Sequence, residues 1–121
     1  MAKRILVVDD APIIRLMIKD ILTYNGYEVV AEGGNGQEAV DLYAEHKPDL
    51  VTMDIVMPEK DGIQALEEIL SNDENAKIVM VTAVDQRESL MRAIRAGATD
   101  YIIKPFESER VLSAAKKALG E

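Results

Sequence analysis

The stretch ILVVDDAP, residues 5–12, runs four aliphatic residues straight into two carboxylates. A continuous apolar run of this length marks a strand covered on both faces, as in a parallel sheet. Two adjacent acids at its end repel each other and resist desolvation. Pro12 follows at once and suits a first helical turn, where its missing N–H is no loss. The stretch therefore reads as a strand, an acidic turn and a helix, and the acids need a reason.

The same alternation continues along the chain. RILVVD (4–9) is the first strand. Ile13, Ile14, Met17, Ile18, Ile21 and Leu22 then recur at helical spacing, up to an Asn25-Gly26 stop. YEVVAE (27–32) reads as a second strand, GGNG (33–36) as a loop, and Ala39, Val40, Leu42 and Tyr43 as a second helix before Pro48. DLVTMD (49–54) is a third strand, again ending on a carboxylate. IVMPEKDG (55–62) is a loop, and Ile63, Leu66, Ile69 and Leu70 line a third helix. KIVMVTA (77–83) is a fourth strand. Leu90, Met91 and Ile94 mark a fourth helix stopped by Gly97, and DYIIKPF (100–106) is a short fifth strand broken by Pro105. Ser108 is placed to cap a last helix carrying Val111, Leu112, Ala115 and Leu119. Five strands alternating with five helices predict a single doubly wound α/β sandwich, with a parallel sheet and helices on both faces. Ligands of such sheets bind beyond the carboxyl ends of the strands.

Composition narrows the classes. The chain has 121 residues, no cysteine and a net charge of −8. Disulfide scaffolds and thiolate metal sites are excluded, and the charge opposes general nucleic-acid binding. The apolar run near the start is too short for a signal peptide or a membrane span, so the expected location is the cytoplasm. The charge is uneven. Residues 1–76 hold 6 Lys/Arg against 16 Asp/Glu, whereas residues 77–121 hold 8 against 6. The last third is therefore expected to offer partners a different surface. His46, near a helix end, is expected to be exposed, and Met17, Met53, Met80 and Met91 are expected in the core.

The strand ends collect specific chemistry. Strand one delivers Asp9 and Asp10, strand three Asp54, strand four Thr82 and strand five Lys104. A divalent cation would remove the repulsion among the acids, and all-oxygen ligands suit a hard ion such as Mg²⁺. Mg²⁺ shares its shell readily with phosphate oxygens. Lys104 and Thr82 could hold a phosphoryl group, and a carboxylate can itself attack phosphorus. The residues alone thus suggest Mg²⁺-dependent phosphorylation of an aspartate.

LVVDD, VTMDIVMPEKDG, VTA and YIIKPF, in this order and spacing, resemble the receiver domain of two-component response regulators, over the whole chain. The resemblance implies strand order 2-1-3-4-5 and a receiver spanning 1–121, without an attached effector domain. It implies Asp54 as the phosphoacceptor and Asp10 as a direct Mg²⁺ ligand. Asp9 would act on the ion through water, and the main-chain carbonyl of Val56 would complete the protein ligands. Lys104 would pair with the phosphoryl group, with a cis bond to Pro105. Thr82 would be the switch hydroxyl and Tyr101 the aromatic switch residue. The implied protein is a monomeric signalling module rather than an enzyme, with self-catalysed phosphorylation and autodephosphorylation only. Its partners would be a histidine kinase of the chemotaxis type, a motor switch or motor-adaptor protein and, as a further candidate, a phosphatase. Neither nucleic acid nor membrane is among them.

Blander readings compete residue by residue. Asp9 and Asp10 could be a solvated strand end, Asp54 a turn residue, Thr82 a surface hydroxyl, Tyr101 half-buried packing and Lys104 a rim lysine. Their coincidence at one sheet edge favours the site. A phosphorelay intermediate serving a histidine phosphotransfer protein is the alternative within the family. An aspartyl-phosphate phosphatase of the haloacid-dehalogenase type would need an acid two residues after the nucleophile, where Val56 stands. A flavodoxin-like cofactor binder would need a phosphate-binding first loop, which DDAP would repel.

Overall fold

The computed structural model describes residues 2–121. Its elements run β1 (Arg4–Val8), α1 (Pro12–Tyr24), β2 (Glu28–Gly33), α2 (Gly36–His46), β3 (Leu50–Asp54), α3 (Gly62–Asn72), β4 (Ile78–Ala83), α4 (Arg87–Ala96), β5 (Asp100–Lys104) and α5 (Ser108–Leu119). Every strand pair is parallel and the sheet order is β2-β1-β3-β4-β5, as the resemblance implied. Strand limits shift by a residue or two from those expected. The largest shift is in β5, which ends at Lys104 because Pro105 has no N–H to offer a neighbour.

The pleat divides the core into two layers. Leu6, Val8, Val51, Met53, Ile78 and Met80 face α2, α3 and α4. Ile5, Val7, Leu50, Val79, Val81 and Ile102 face α1 and α5. β3 is buried at all five positions, which explains why its sequence shows no alternation. Thr52 is the polar exception: its hydroxyl is buried without a hydrogen-bond partner.

Three expectations need correction. Met53 and Met80 are fully buried, but Met17 and Met91 are 42% and 44% exposed. Each lies one residue from a buried neighbour, Ile18 or Leu90, and so is turned about 100° off the inward face. Ser108 does not cap α5. The extended backbone of Glu107 (φ −92°, ψ 154°) starts the helix one residue sooner, and no side chain caps it. His46 is half-buried as the last residue of α2, beside Glu45.

Two glycines permit close approaches that fix the loop 55–61. A Cβ on Gly62 would lie 2.0 Å from the Asp54 carbonyl oxygen, and one on Gly36 would lie 2.1 Å from that of Lys60. Their N–H groups donate to Ile55 and Lys60 carbonyls, each at 2.8 Å. The first turns of α2 and α3 thus clamp the segment that follows Asp54. A capping box between Asp61 and Gln64 fixes the entry to α3. Helix propensity alone would favour alanine over Gly62 by up to about 1 kcal/mol. The clash reverses that sign: Gly62→Ala is expected to lose about 3 kcal/mol in urea unfolding. A variant as stable as the parent would show that the loop yields freely.

Candidate functional site

The carboxyl ends of β1, β3 and β5 meet in one crevice. Asp9, Asp10 and Asp54 each place a carboxylate oxygen within 4.8 Å of the others. Asp9 and Asp54 are buried and Asp10 is exposed. Lys104 Nζ lies 3.0 Å from Asp9 Oδ2 and 3.5 Å from Asp54 Oδ2. The Lys104–Pro105 bond is cis. The expected convergence of three acids and one ammonium is therefore present.

Local structure holds each group. Asp9 Oδ1 accepts the Ala11 N–H at 2.9 Å, which turns the chain from β1 into α1. Arg15 Nη1 donates to the Asp9 carbonyl at 2.6 Å and so braces the acidic turn from α1. Asp9 Oδ2 is buried and near Lys104, but the approach lacks hydrogen-bond geometry. A buried anionic oxygen without a hydrogen bond is costly, and a cation ligated there would satisfy it. The donor set is all oxygen, so the cluster fits a hard divalent ion.

Thr82 and Tyr101 make no hydrogen bond to these carboxylates among the described residues. Thr82 is buried near the end of β4, and its hydroxyl donates to the Ala83 carbonyl at 3.3 Å. Tyr101, three residues before Lys104 on β5, is 39% exposed. Val56 and Val84 project outward, 55% and 75% exposed, and bring no side-chain hydrogen-bonding group to the crevice. Gly62 and Arg15 were not among the expected site residues. The Asp-Gly before α3 could have signalled the first; nothing in the sequence separates Arg15 from an ordinary surface arginine. A cleft of about 370 Å³ between α2 and α3 opens near Lys47 and Asp73, at the helix ends remote from this chemistry.

The response regulator receiver domain matches residues 5–116. The chain belongs to this family. Among curated relatives, the Chemotaxis protein CheY of Bacillus subtilis (strain 168) is 59% identical over 119 residues, 98% of this chain and 99% of its own length. That of Thermotoga maritima is 54% identical over 117 residues, 97% of this chain and 98% of its own. A solved neighbour is the CheX-CheY-BeF3-Mg+2 complex from Borrelia burgdorferi. One chain of it superposes with a TM-score of 0.90 at 32% identity, covering 95% of this receiver and 87% of that chain. The receiver is a signalling protein rather than an enzyme of the ordinary kind. Among its described residues, no helix is long and apolar enough to cross a membrane.

Burial, then the charge of Asp9, pushes the Asp54 carboxyl up to about 6, against the opposing pull of Lys104. A raised carboxyl stabilises the fold fully below its unfolded value near 4. That contribution is lost as pH rises through about 6. In metal-free protein, Asp54→Asn is therefore expected to gain stability on the parent across this window, reaching about 3 kcal/mol at pH 7–8. Thermal or urea unfolding of both proteins in chelator from pH 4 to 8 checks this. A difference independent of pH would refute it.

Proposed function

We propose that this receiver is a phosphorylation-switched regulator of chemotaxis. In this reading it takes a phosphoryl group from the phosphohistidine of a histidine kinase onto Asp54 and then binds a motor switch or motor-adaptor protein. The observation that carries the chemistry is the placement of Asp54: buried, beside two further acids, with one ammonium in reach. The chemotaxis assignment is supported by the full-length relatives at 54–59% identity. The complex containing CheX supports a phosphatase as a further partner class.

Asp10, Asp54 and the Val56 carbonyl would hold Mg²⁺ directly and Asp9 through water, and the ion would neutralise the acids and share the phosphoryl oxygens. Asp54 acts as the nucleophile: one Oδ forms a bond to phosphorus as the P–N bond of phosphohistidine breaks, and its electron pair stays on the imidazole. The Lys104 ammonium, already between Asp9 and Asp54, balances charge on the transferred group. The Thr82 hydroxyl, held only by its contact with Ala83, is free to turn toward the phosphoryl group, and Tyr101 follows it. Water attack on phosphorus later releases inorganic phosphate and restores the carboxylate.

Acetyl phosphate with Mg²⁺ should label the parent. Asp54→Asn should remain unlabelled, and Asp10→Asn should require more Mg²⁺. Normal labelling of Asp54→Asn would overturn the assignment. The lifetime of the phosphorylated state offers a second test. Val56 and Val84 cannot hydrogen-bond a water into line for hydrolysis. Restoring one alignment worth about 1.4 kcal/mol in the transition state speeds the step about tenfold. The Val56→Asn, Val84→Glu double variant should therefore lose its phosphoryl group about ten times faster than the parent, as followed by decay of the labelled protein in Mg²⁺. Equal decay rates would show that these valines do not set the lifetime.

A further inference from the structure

Tyr101 sits between two different environments. On its α4 side lies a cleft of about 390 Å³ whose walls are mostly apolar, among them Ala83, Leu90, Ile94 and Ile103. On its other side stands Arg110 of α5, with the guanidinium carbon 5.7 Å from the ring centroid. The same guanidinium donates from Nη2 to the main-chain carbonyl of Tyr101 and lies 3.5 Å from Asp100 Oδ1. Asp100 Oδ1 in turn accepts the Tyr101 N–H at 2.8 Å. Backbone, carboxylate and ring of the first two residues of β5 are thus gathered onto one arginine.

We propose that Arg110 is a positioning residue that latches the Tyr101 ring against α5 and so sets how readily the receiver adopts its phosphorylated arrangement. This rests on the reading of Tyr101 as the aromatic switch. A cation over a tyrosine face attracts the ring quadrupole. The cleft on the α4 side offers the ring mainly apolar contact, with Arg87 its one charged wall residue, whereas the cation over the ring face is that of Arg110. The latch therefore favours the outward ring, and weakening it favours the cleft. A contact that stabilises one of two states shifts their ratio by its differential strength. For a half-exposed cation–π pair that is about threefold. By linkage, anything that binds the inward state must bind more tightly by the same factor when the latch is removed, provided the outward state dominates.

The test uses the full chain with 3-fluorotyrosine, the Tyr101 signal being assigned from Tyr101→Phe, and beryllofluoride with Mg²⁺ as the probe. In the parent, saturating probe should move the Tyr101 resonance. In Arg110→Gln, which keeps an N–H donor but removes the charge, the probe-free resonance should already lie part-way toward that position. Beryllofluoride affinity should rise about threefold. Arg110→Lys, which keeps a cation, should stay near the parent. In a Tyr101→Ala background Arg110→Gln should leave the affinity unchanged, whereas a role in merely supporting α5 would persist there.

Failures are distinguishable. If the parent binds the probe and its Tyr101 signal stays fixed, the reading of Tyr101 as the switch is wrong and the latch falls with it. If the parent signal moves but Arg110→Gln matches the parent in resonance and affinity, the latch alone is wrong. If the affinity change survives in the Tyr101→Ala background, Arg110 acts through the fold and not through the ring.

Discussion

Asp9, Asp10 and Asp54 hold ligand oxygens within 4.8 Å of one another, and among the described residues Lys104 is the one cation within ion-pair distance of their carboxylates. Two unit charges about 5 Å apart repel by about 3 kcal/mol at an effective dielectric constant near 20. That cost is comparable to a sizeable share of a domain's net stability. The fold retains it at a place where two of the three acids are buried and cannot relax into solvent. Such an arrangement is stable only if the rest of the domain fixes it. It also makes the crevice responsive to added positive charge and to any group that replaces a carboxylate charge. Phosphoryl transfer supplies such a replacement.

The parallel sheet is what makes that fixing affordable. Asp9, Asp54 and Lys104 are far apart in sequence, yet each is placed by a strand end, and every strand points the same way. Because β1 and β3 are neighbours and almost entirely buried, their ends have little freedom to separate. Gly62 and Gly36 then let two helix starts close on the loop after Asp54 at distances no side chain would tolerate. The acids are therefore held from behind by hydrophobic packing and from the side by backbone contacts. Little depends on surface ion pairs, which contribute weakly in water.

The order of elements was legible because periodicity changes sharply between strands and helices. The five buried runs could not be longer amphipathic helices, and Gly or Pro punctuates nearly every junction. The convergent site was legible for a related reason: in this architecture chemistry at strand ends must share an edge. Burial within helices was less accessible. Met17 and Met91 look like core by type, but their neighbours Ile18 and Leu90 take the inward face. A one-residue rotation is invisible in a sequence where apolar residues are crowded. Nor could the sequence single out Arg110. Its meaning comes from a contact across an interface between α5 and β5, and contacts of that kind have no local signature.

The two halves of the sheet differ in how tightly they are held, and this bears on where a change at Asp54 can go. β3 is buried throughout, whereas β5 has only Ile102 fully enclosed. Around β5, Val84, Met91, Ile94 and Tyr101 all leave large apolar surfaces in water. Regions with few buried contacts open at lower free-energy cost than the core. Thr82 stands at the border between these zones, on the buried strand that pairs with β5. A rearrangement that begins at its hydroxyl meets rigid packing toward β3 and loosely held side chains toward α4 and β5. In the proposed reading, a response would run to the side of the molecule where Arg87, Arg92 and Arg95 also line surface hollows. Three of the eight Lys/Arg beyond residue 76, Arg87, Arg92 and Arg95, therefore lie together on this more loosely packed side.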